Sequence, residues 1–239
     1  MTSPDPEKPS RQPQQPASVP LRYTPVEPEK CLARAQRVYE QMDRRRSVRH
    51  FSNRSISREV IEYLIRTAAT APSGAHKQPW TFVAVSDPNL KAEIRRAAEE
   101  QERRSYEQRM TSEWLAALEP LGVDWHKPFL EVAPWLVAVF QQNVELLESG
   151  KRRKNYYVTE SVGIAMGMFL AAIHQAGLVA LTYTPSPMQF LSEILQRPPN
   201  EKPSMLIPIG YPAEDCRVPD LQRKTLEEVA VFLESPPPH

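Results

Sequence analysis

The chain has 239 residues, of which 41% are apolar and 25% are charged, a composition typical of a globular protein with one sizeable core. Its 30 basic and 29 acidic residues give a net charge of +1, which disfavours a nucleic-acid-binding function. The longest strongly apolar run, residues 162–173, is shorter than the roughly 20 residues that a membrane span needs. We therefore expect neither a nucleic acid nor a membrane as partner.

Cysteine, glycine and histidine positions narrow the class of protein further. Cys31 and Cys216 stand alone, and no apolar signal segment opens the chain, so we expect a reducing, cytoplasmic compartment. None of the seven glycines falls in a GxGxxG or GxxxxGK[ST] pattern, which excludes Rossmann and P-loop phosphate sites. His50, His126 and His174 lack metal-ligand spacing, and no metal is predicted.

In chain order, residues 1–30 contain eight prolines and few bulky apolar groups, which predicts a disordered or extended arm. Helical spacing of apolar residues predicts a helix over 31–43, followed by the basic loop 44–49. Ser57 is the expected N-cap of an amphipathic helix that stops at Ala71-Pro72.

Four strands and further helices are predicted beyond residue 79. Aromatic and β-branched residues predict strands over 80–85, 134–140, 178–182 and 204–209. Asp87 and Pro88 begin a long charged helix that is expected to reach Leu118. An apolar helix over 155–176, closed by Gly177, is expected to be buried, and a short helix is expected near 190–195. Irregular alternation of these elements favours an α+β fold.

Two groups of side chains could bind a ligand, and each could instead be an ordinary charged surface. Arg45, Arg46 and Ser47 could bind a phosphate dianion through guanidinium forks and a hydroxyl, or could form a solvated basic turn. Glu102 and Tyr106 share one helix face and could bind a ligand together, or could belong to a solvated charged face.

Ordered motifs along most of the chain resemble the nitroreductase superfamily. The resemblance begins with Arg45-Arg46-Ser47-Val48-Arg49 and continues through the stretches 71–76, 78–80, 156–157, 176–178, 182–185, 210–212 and 218–224. It covers roughly residues 40–233, and within the superfamily the sequence is most similar to the iodotyrosine deiodinases. His76 is one marker of that similarity, and the segment 186–196 is one residue shorter than in familiar members.

The resemblance implies a fold, a domain organisation and an oligomeric state. The implied fold is a nitroreductase-like α+β domain with a central mixed sheet flanked by helices. This domain is expected over residues 31–239, with a lid at about 95–128 that orders when ligand binds and a C-terminal extension at about 217–239. The implied assembly is a domain-exchanged homodimer with two active sites at the interface.

The resemblance also implies FMN as cofactor, and it assigns residues to it. Arg45, Arg46, Ser47 and Arg223 match the family's FMN phosphate ligands. The turn formed by Pro72, Ser73 and Gly74 would approach the flavin through backbone N–H groups, and Thr182 belongs to the same cofactor site. Thr184 matches the hydroxyl that bonds the flavin N5 and favours single-electron steps.

The implied reaction is reductive dehalogenation of 3-iodotyrosine and related halotyrosines, with electrons from a reductant or reductase that uses NAD(P)H. Glu102 would bind the substrate ammonium, while Lys127 and Tyr106 would bind its carboxylate. Ala75 would donate its backbone N–H to the substrate phenolate. The alternatives are a general NAD(P)H-dependent nitroreductase or quinone reductase, and a flavin-binding module without turnover.

Overall fold

The computed structural model describes residues 18–235. Residues 1–17 of the predicted arm and residues 236–239 of the predicted C-terminal extension lie outside this range. Residues 18–27 have no regular secondary structure, and the first helix begins at Pro28, earlier than the expected start at Cys31. The described chain divides into two compact units, which meet in sequence at Glu40 and Gln41.

Helices and strands alternate irregularly along the described residues, as an α+β fold requires. The helices are α1 (Pro28–Asp43), α2 (Arg58–Ala69), α3 (Pro88–Gln108), α4 (Ser112–Leu118), α5 (Phe129–Val132), α6 (Val158–Gln175), α7 (Phe190–Ile194) and α8 (Leu226–Val229). The strands are β1 (Trp80–Val85), β2 (Trp135–Gln142), β3 (Val144–Leu146), β4 (Arg152–Lys154), β5 (Val179–Ala180) and β6 (Glu201–Gly210).

The second unit is built on a four-stranded sheet with the order β1-β2-β6-β5. Its three ladders are all antiparallel, so the expectation of a mixed sheet is wrong for these strands. Parallel pairing occurs instead at an isolated bridge between Ser47 and Ala180, where the loop after α1 runs beside β5 without extending the ladder. The expected α+β class and the flanking helices are confirmed.

Successive side chains of the central strands point to opposite faces of the sheet, and each face has its own apolar core. Val137 and Val139 of β2 pack in one cluster, to which α2 and α6 contribute. Leu136 and Phe140 pack in the other cluster, with residues of α3, α5 and α7. Because successive side chains of a strand point to opposite faces, β2 and β6 are buried on both sides and fix the helices around them.

The charged helix predicted to reach Leu118 is interrupted in the structure. The backbone N–H groups of Arg109 and Met110 both bond to the carbonyl of Ser105, at 3.0 and 2.9 Å, which closes α3. Thr111 then caps α4 by accepting a hydrogen bond from Trp114 N at 3.2 Å. A local cap therefore competes with continuation of the helix, because a threonine hydroxyl satisfies an otherwise free N–H.

Helix α6 is buried on one side only, which corrects the expectation of burial all round. Phe169 is fully buried, whereas Ile164 keeps 46% of its surface exposed. The structure also shortens the predicted third strand to Val179–Ala180 and adds the β3–β4 hairpin, which the sequence did not indicate. Among residues 18–235, no helix has both the length and the apolar character to cross a membrane.

Replacing Phe169 by alanine tests whether α6 anchors the core. The ring is fully buried and lies 5.5 Å from the ring of Phe82, so Phe169→Ala should lower the free energy of unfolding by about 3–5 kcal/mol. Urea unfolding followed by circular dichroism measures the change. Leu146→Ala on the exposed hairpin is the control, with an expected change within about 0.5 kcal/mol. Equal losses in the two variants would contradict this assignment.

Candidate functional site

Two stretches of backbone that run side by side carry five of the predicted site residues, namely Arg45, Arg46, Ser47, Thr182 and Thr184. Ser47 bridges Ala180 in parallel, and Val48 N donates to the carbonyl of Ala180 at 3.0 Å. Because both stretches are extended, Arg45 and Arg46 precede this bridge while Arg49 follows it, together with the residues after Ala180. The predicted phosphate ligands and the two predicted threonines therefore belong to one continuous surface.

The arginine cluster, defined as Arg44, Arg45, Arg46 and Arg223, forms at the first end of this surface. Arg223 donates to the carbonyl of Arg45 at 2.8 Å and pairs with Asp43 at 3.0 Å, while Arg46 donates to the carbonyl of Pro219. Asp43 pairs with Arg223, and no carboxylate of the described residues forms an ion pair with Arg44, Arg45 or Arg46. Arg44, Arg45 and Arg46 line a cavity of about 190 Å³ beside His174, near the end of α6. This excess positive charge suits a phosphate dianion.

A larger cavity of about 520 Å³ lies at the other end, and we call it the Glu102–Lys127 pocket. It is lined by five of the predicted residues, namely Glu102, Tyr106, Lys127, Thr182 and Thr184. Three residues that the sequence analysis left without a role also line it, namely Arg49, Trp114 and Tyr183. Arg49 was already visible in the Arg45–Arg49 motif, two residues after Ser47, where a strand presents the same face again. The sequence analysis assigned no role and no orientation to Tyr183.

A buried ion pair occupies the centre of this pocket. Lys127 Nζ lies 3.5 Å from Glu102 Oε2, and the two side chains are only 8% and 13% exposed. Burial lowers the pKa of Lys127, and the charge of Glu102 opposes that shift. Lys127 also donates to the carbonyl of Asp124. Because isolated buried charges are costly, each of these two groups depends on an opposite charge nearby.

Neighbouring contacts fix the positions of the pair. The backbone N–H of Lys127 donates to Glu99 Oε1 at 2.7 Å, which ties the Lys127 loop to α3. Tyr106, one helical turn after Glu102, donates its hydroxyl to the carbonyl of Val123 at 3.2 Å. Burial and then the charge of Glu102 raise the pKa of Tyr106. Its phenol is therefore a neutral hydrogen-bond group beside the two charges.

The last turn of α3 is attached to the shortened segment 186–196. Ser105 Oγ and Arg109 both donate to the carbonyl of Ser186, at 3.3 and 3.1 Å. Ser186 follows Thr184 by two residues, so this contact connects the predicted lid directly to the segment after β5 that carries the two threonines. The position of the lid helix thus depends on this segment.

The turn at residues 72–75 lies elsewhere on the chain. Gly74 N donates to Ser161 Oγ at 3.3 Å, and a Cβ at Gly74 would lie 2.6 Å from the carbonyl oxygen of Tyr156, so only glycine fits. Ala75 has φ +51°, a left-handed conformation that side chains rarely adopt. Ser73 Oγ accepts from Gln78 N at 2.9 Å and stabilises the turn, whose backbone groups are partly accessible.

One chain does not bring this turn to the arginine cluster. The turn contacts Ser161 in the first part of α6, whereas the cluster lies beside His174 near its end. These two helix positions are about 20 Å apart at the usual rise of an α-helix. The predicted residues Pro72, Ser73, Gly74 and Ala75 are therefore separated from Arg45, Arg46 and Ser47. In the described residues 18–235, no group of three or more His, Cys, Asp or Glu side chains could hold a metal ion.

The chain is similar to known proteins along most of its length. Residues 42–211 match the Nitroreductase family. The chain is 62% identical over 218 residues to an iodotyrosine deiodinase of Haliscomenobacter hydrossis, covering 91% of this chain and 98% of the relative. It is 48% identical to an iodotyrosine deiodinase of Danio rerio, covering 88% of this chain and 72% of the relative.

A solved structure shows the same similarity in three dimensions. A crystal structure of oxidized iodotyrosine deiodinase bound to FMN and 3-iodo-L-tyrosine superposes with a TM-score of 0.69 at 30% identity. The superposition covers 82% of this chain and 100% of that chain. Sequence and structure together establish that the chain belongs to the nitroreductase family, among the relatives of the iodotyrosine deiodinases.

Proposed function

We propose that this protein is an FMN-dependent reductive dehalogenase that acts on 3-iodotyrosine and related halotyrosines. The observation that carries the proposal is the buried Glu102–Lys127 pair, which offers both charges that an amino-acid zwitterion requires. A nitroaromatic compound or a quinone needs neither charge. The similarity to deiodinases of Haliscomenobacter hydrossis and Danio rerio supports the same reaction.

The arginine cluster fits the phosphate of FMN. Arg45, Arg46 and Arg223 would hold the phosphate through charge-assisted hydrogen bonds, and Ser47 would add a hydroxyl. Thr182 and Thr184 are exposed in the segment that follows β5, between the cluster and the pocket, where their hydroxyls would meet the flavin ring, with Thr184 at its N5. Bound FMN, reduced by an NAD(P)H-dependent donor, supplies the two electrons that replace the carbon–iodine bond with a carbon–hydrogen bond and release iodide.

The pocket residues would bind the two ends of the amino acid separately. Glu102 accepts hydrogen bonds from the substrate ammonium, while Lys127 donates to the substrate carboxylate with Tyr106 beside it. A ligand that carries both charges gives each member of the ion pair a new partner. A ligand with one charge leaves one buried group without an opposite charge, which is strongly unfavourable.

The backbone N–H of Ala75 would donate to the phenolate oxygen of the substrate. An ortho halogen makes the phenol more acidic, so the phenolate is the form that benefits from this donor. The left-handed φ of Ala75 presents the N–H in a fixed direction, which Gly74 permits by its close packing against Tyr156. Protonation of the ring carbon that carries iodine then gives a non-aromatic ketone, in which the carbon–iodine bond is weaker.

We infer that two copies of the chain form each active site, as a domain-exchanged homodimer. The separation of the Ala75 turn from the arginine cluster supports this inference, because a second copy in antiparallel orientation along α6 would bring one turn to the other cluster. An apolar groove of about 720 Å³ between α2 and α6 offers the surface, and Tyr63, Met168 and Ala171 line it. The exchange of terminal segments follows from the family resemblance.

Removing one guanidinium group tests the FMN site. Arg46→Ala should weaken FMN binding by about 10- to 100-fold, because one charge-assisted contact to the phosphate is lost. Quenching of FMN fluorescence measures the dissociation constant. Arg152→Ala on the exposed β3–β4 hairpin removes an equal charge and should leave that constant unchanged. An unchanged constant in Arg46→Ala would contradict the phosphate assignment.

Neutralising Glu102 separates the dehalogenase from a general nitroreductase. Glu102→Gln should lower kcat/KM for 3-iodotyrosine by about 100-fold, since the bound ammonium loses its counter-charge. Reduction of a nitroaromatic compound by the same variant should change little. Glu107→Gln, on the exposed face of α3, is the matched control. If iodotyrosine turnover is unaffected in Glu102→Gln and nitroaromatic turnover dominates, the protein is a general nitroreductase. If reduced flavin in the wild-type protein stays reduced after iodotyrosine is added, the protein is a flavin-binding module without turnover.

Placing a charge in the α2–α6 groove tests the homodimer. Met168→Glu should produce monomers that retain little FMN, because a carboxylate buried between two copies has no partner. Sedimentation velocity and the flavin absorbance of the purified protein measure both effects. Leu146→Glu, on the hairpin, should remain dimeric and flavin-loaded. A monomeric wild-type protein with full FMN content would refute the shared site.

A further inference from the structure

The hydroxyl of Tyr183 is a buried polar group that the proposed reaction does not use. Tyr183 is 8% exposed, and among the described residues its Oη has no hydrogen-bond partner. A buried hydroxyl without a partner is unfavourable by comparison with phenylalanine at the same position. In the ligand-free fold, burial of this hydroxyl therefore lowers the free energy of unfolding relative to phenylalanine.

The ring of Tyr183 is held rigidly in the floor of the Glu102–Lys127 pocket. Its backbone N–H and carbonyl both bond to Leu206, each at 2.9 Å, which fixes the residue to β6. The ring packs edge-on against Phe129, with centroids 5.7 Å apart. Lys127 Nζ lies 5.8 Å from the centre of the ring. The hydroxyl cannot easily turn away to water, because both ends of the residue are anchored.

Glu102 is a carboxylate that lines the same pocket as Tyr183 and lies close to its hydroxyl. Burial first, and then the charge of Glu102, raises the pKa of Tyr183 well above that of an ordinary phenol, so the hydroxyl keeps its proton. The carboxylate of Glu102 has Lys127 as its ion-pair partner at 3.5 Å. The protonated hydroxyl and this carboxylate thus lie close together, but the contact between them is too long to satisfy the hydroxyl in the ligand-free fold.

We propose that Tyr183 is a positioning residue that donates a hydrogen bond to Glu102 when substrate binds. This inference rests on the proposed function. As Lys127 turns to the substrate carboxylate, Glu102 loses its nearest positive group and needs donors to remain ionised in a buried site. The Tyr183 hydroxyl supplies one donor and the substrate ammonium supplies another. The phenol thus holds the carboxylate in the direction from which it receives the ammonium.

The substitution Tyr183→Phe separates this role from a structural one. We expect the dissociation constant of 3-iodotyrosine, and with it KM, to rise about 10-fold, because a hydrogen bond to a charged group is lost in the complex alone. The value of kcat and the affinity for FMN should stay unchanged. The midpoint of urea unfolding should stay the same or increase, since an unpartnered buried hydroxyl disappears. A tyrosine that merely supports the fold would instead lower the midpoint and kcat together.

Two further measurements identify the group through which Tyr183 acts. In a Glu102→Ala background, Tyr183→Phe should have no additional effect on iodotyrosine binding, because the acceptor is absent. Binding of 2-iodophenol, which has no ammonium or carboxylate, should be the same in wild type and Tyr183→Phe. Tyr211→Phe, which removes a phenol hydroxyl outside the pocket, is the control and should behave as wild type.

Specific outcomes would overturn the inference. An unchanged dissociation constant for iodotyrosine in Tyr183→Phe refutes it, and so does a 10-fold loss that persists in the Glu102→Ala background. Equal losses for iodotyrosine and 2-iodophenol also refute it. If the wild-type protein itself fails to bind iodotyrosine, the proposed function is at fault, so the two failures are distinguishable.

Discussion

The buried ion pair between Glu102 and Lys127 is the constraint on which the rest of the site depends. Two opposite charges 3.5 Å apart, with side chains 8% and 13% exposed, stabilise a fold only weakly, because desolvation offsets most of their attraction. A protein optimised for stability alone would gain from apolar residues at these positions. The presence of both charges at these positions supports the proposal that the pocket takes a ligand with both charges, and the surrounding contacts fix the positions of the pair.

Those contacts bond α3, which carries the proposed lid, to other parts of the pocket. Helix α3 carries Glu102, bonds to the Lys127 loop through Glu99, and is attached to Ser186 by Ser105. Ser186 in turn follows Thr184 by two residues, in the segment after β5. In the proposed function, binding of an amino acid at the pair would therefore act on the segment that meets the flavin, through covalent and hydrogen-bonded links.

Local sequence signals predicted much of this fold, because they depend on neighbours in the chain. The strand Trp80–Val85 was predicted at its observed bounds, and Ser57 immediately precedes α2 as expected. Signals failed where two local choices compete. Thr111 looks like any polar helix residue until its hydroxyl is seen to cap Trp114 N, and the charged β3–β4 hairpin lacks the apolar alternation that marks a strand.

Some residues of the candidate site could likewise be placed from local sequence spacing, whereas the positions of others depend on long-range contacts. Glu102 and Tyr106 could be placed on one helix face from their spacing alone, but the approach of Lys127 depends on a loop tied by Glu99. Tyr183 offered no signal, because it packs in the core beside Phe129 while it also lines the pocket that contains Glu102. The periodicity of apolar residues therefore does not reveal a polar group that is carried by a side chain buried in the core.

The length of α6 fixes the distance between the turn and the arginine cluster, so that distance does not depend on the conformation of a loop. Ser161 holds Gly74 near one end, His174 lies beside the arginines near the other, and Phe169 anchors the helix between them. An α-helix cannot shorten, so no rearrangement of the turn alone closes about 20 Å. The exposed Ile164 and the groove at Met168 lie on the side of this same helix that the single chain leaves uncovered. In the proposed homodimer, α6 would therefore join the Ala75 turn of one copy to the arginine cluster of the other, although it separates the two within a single chain.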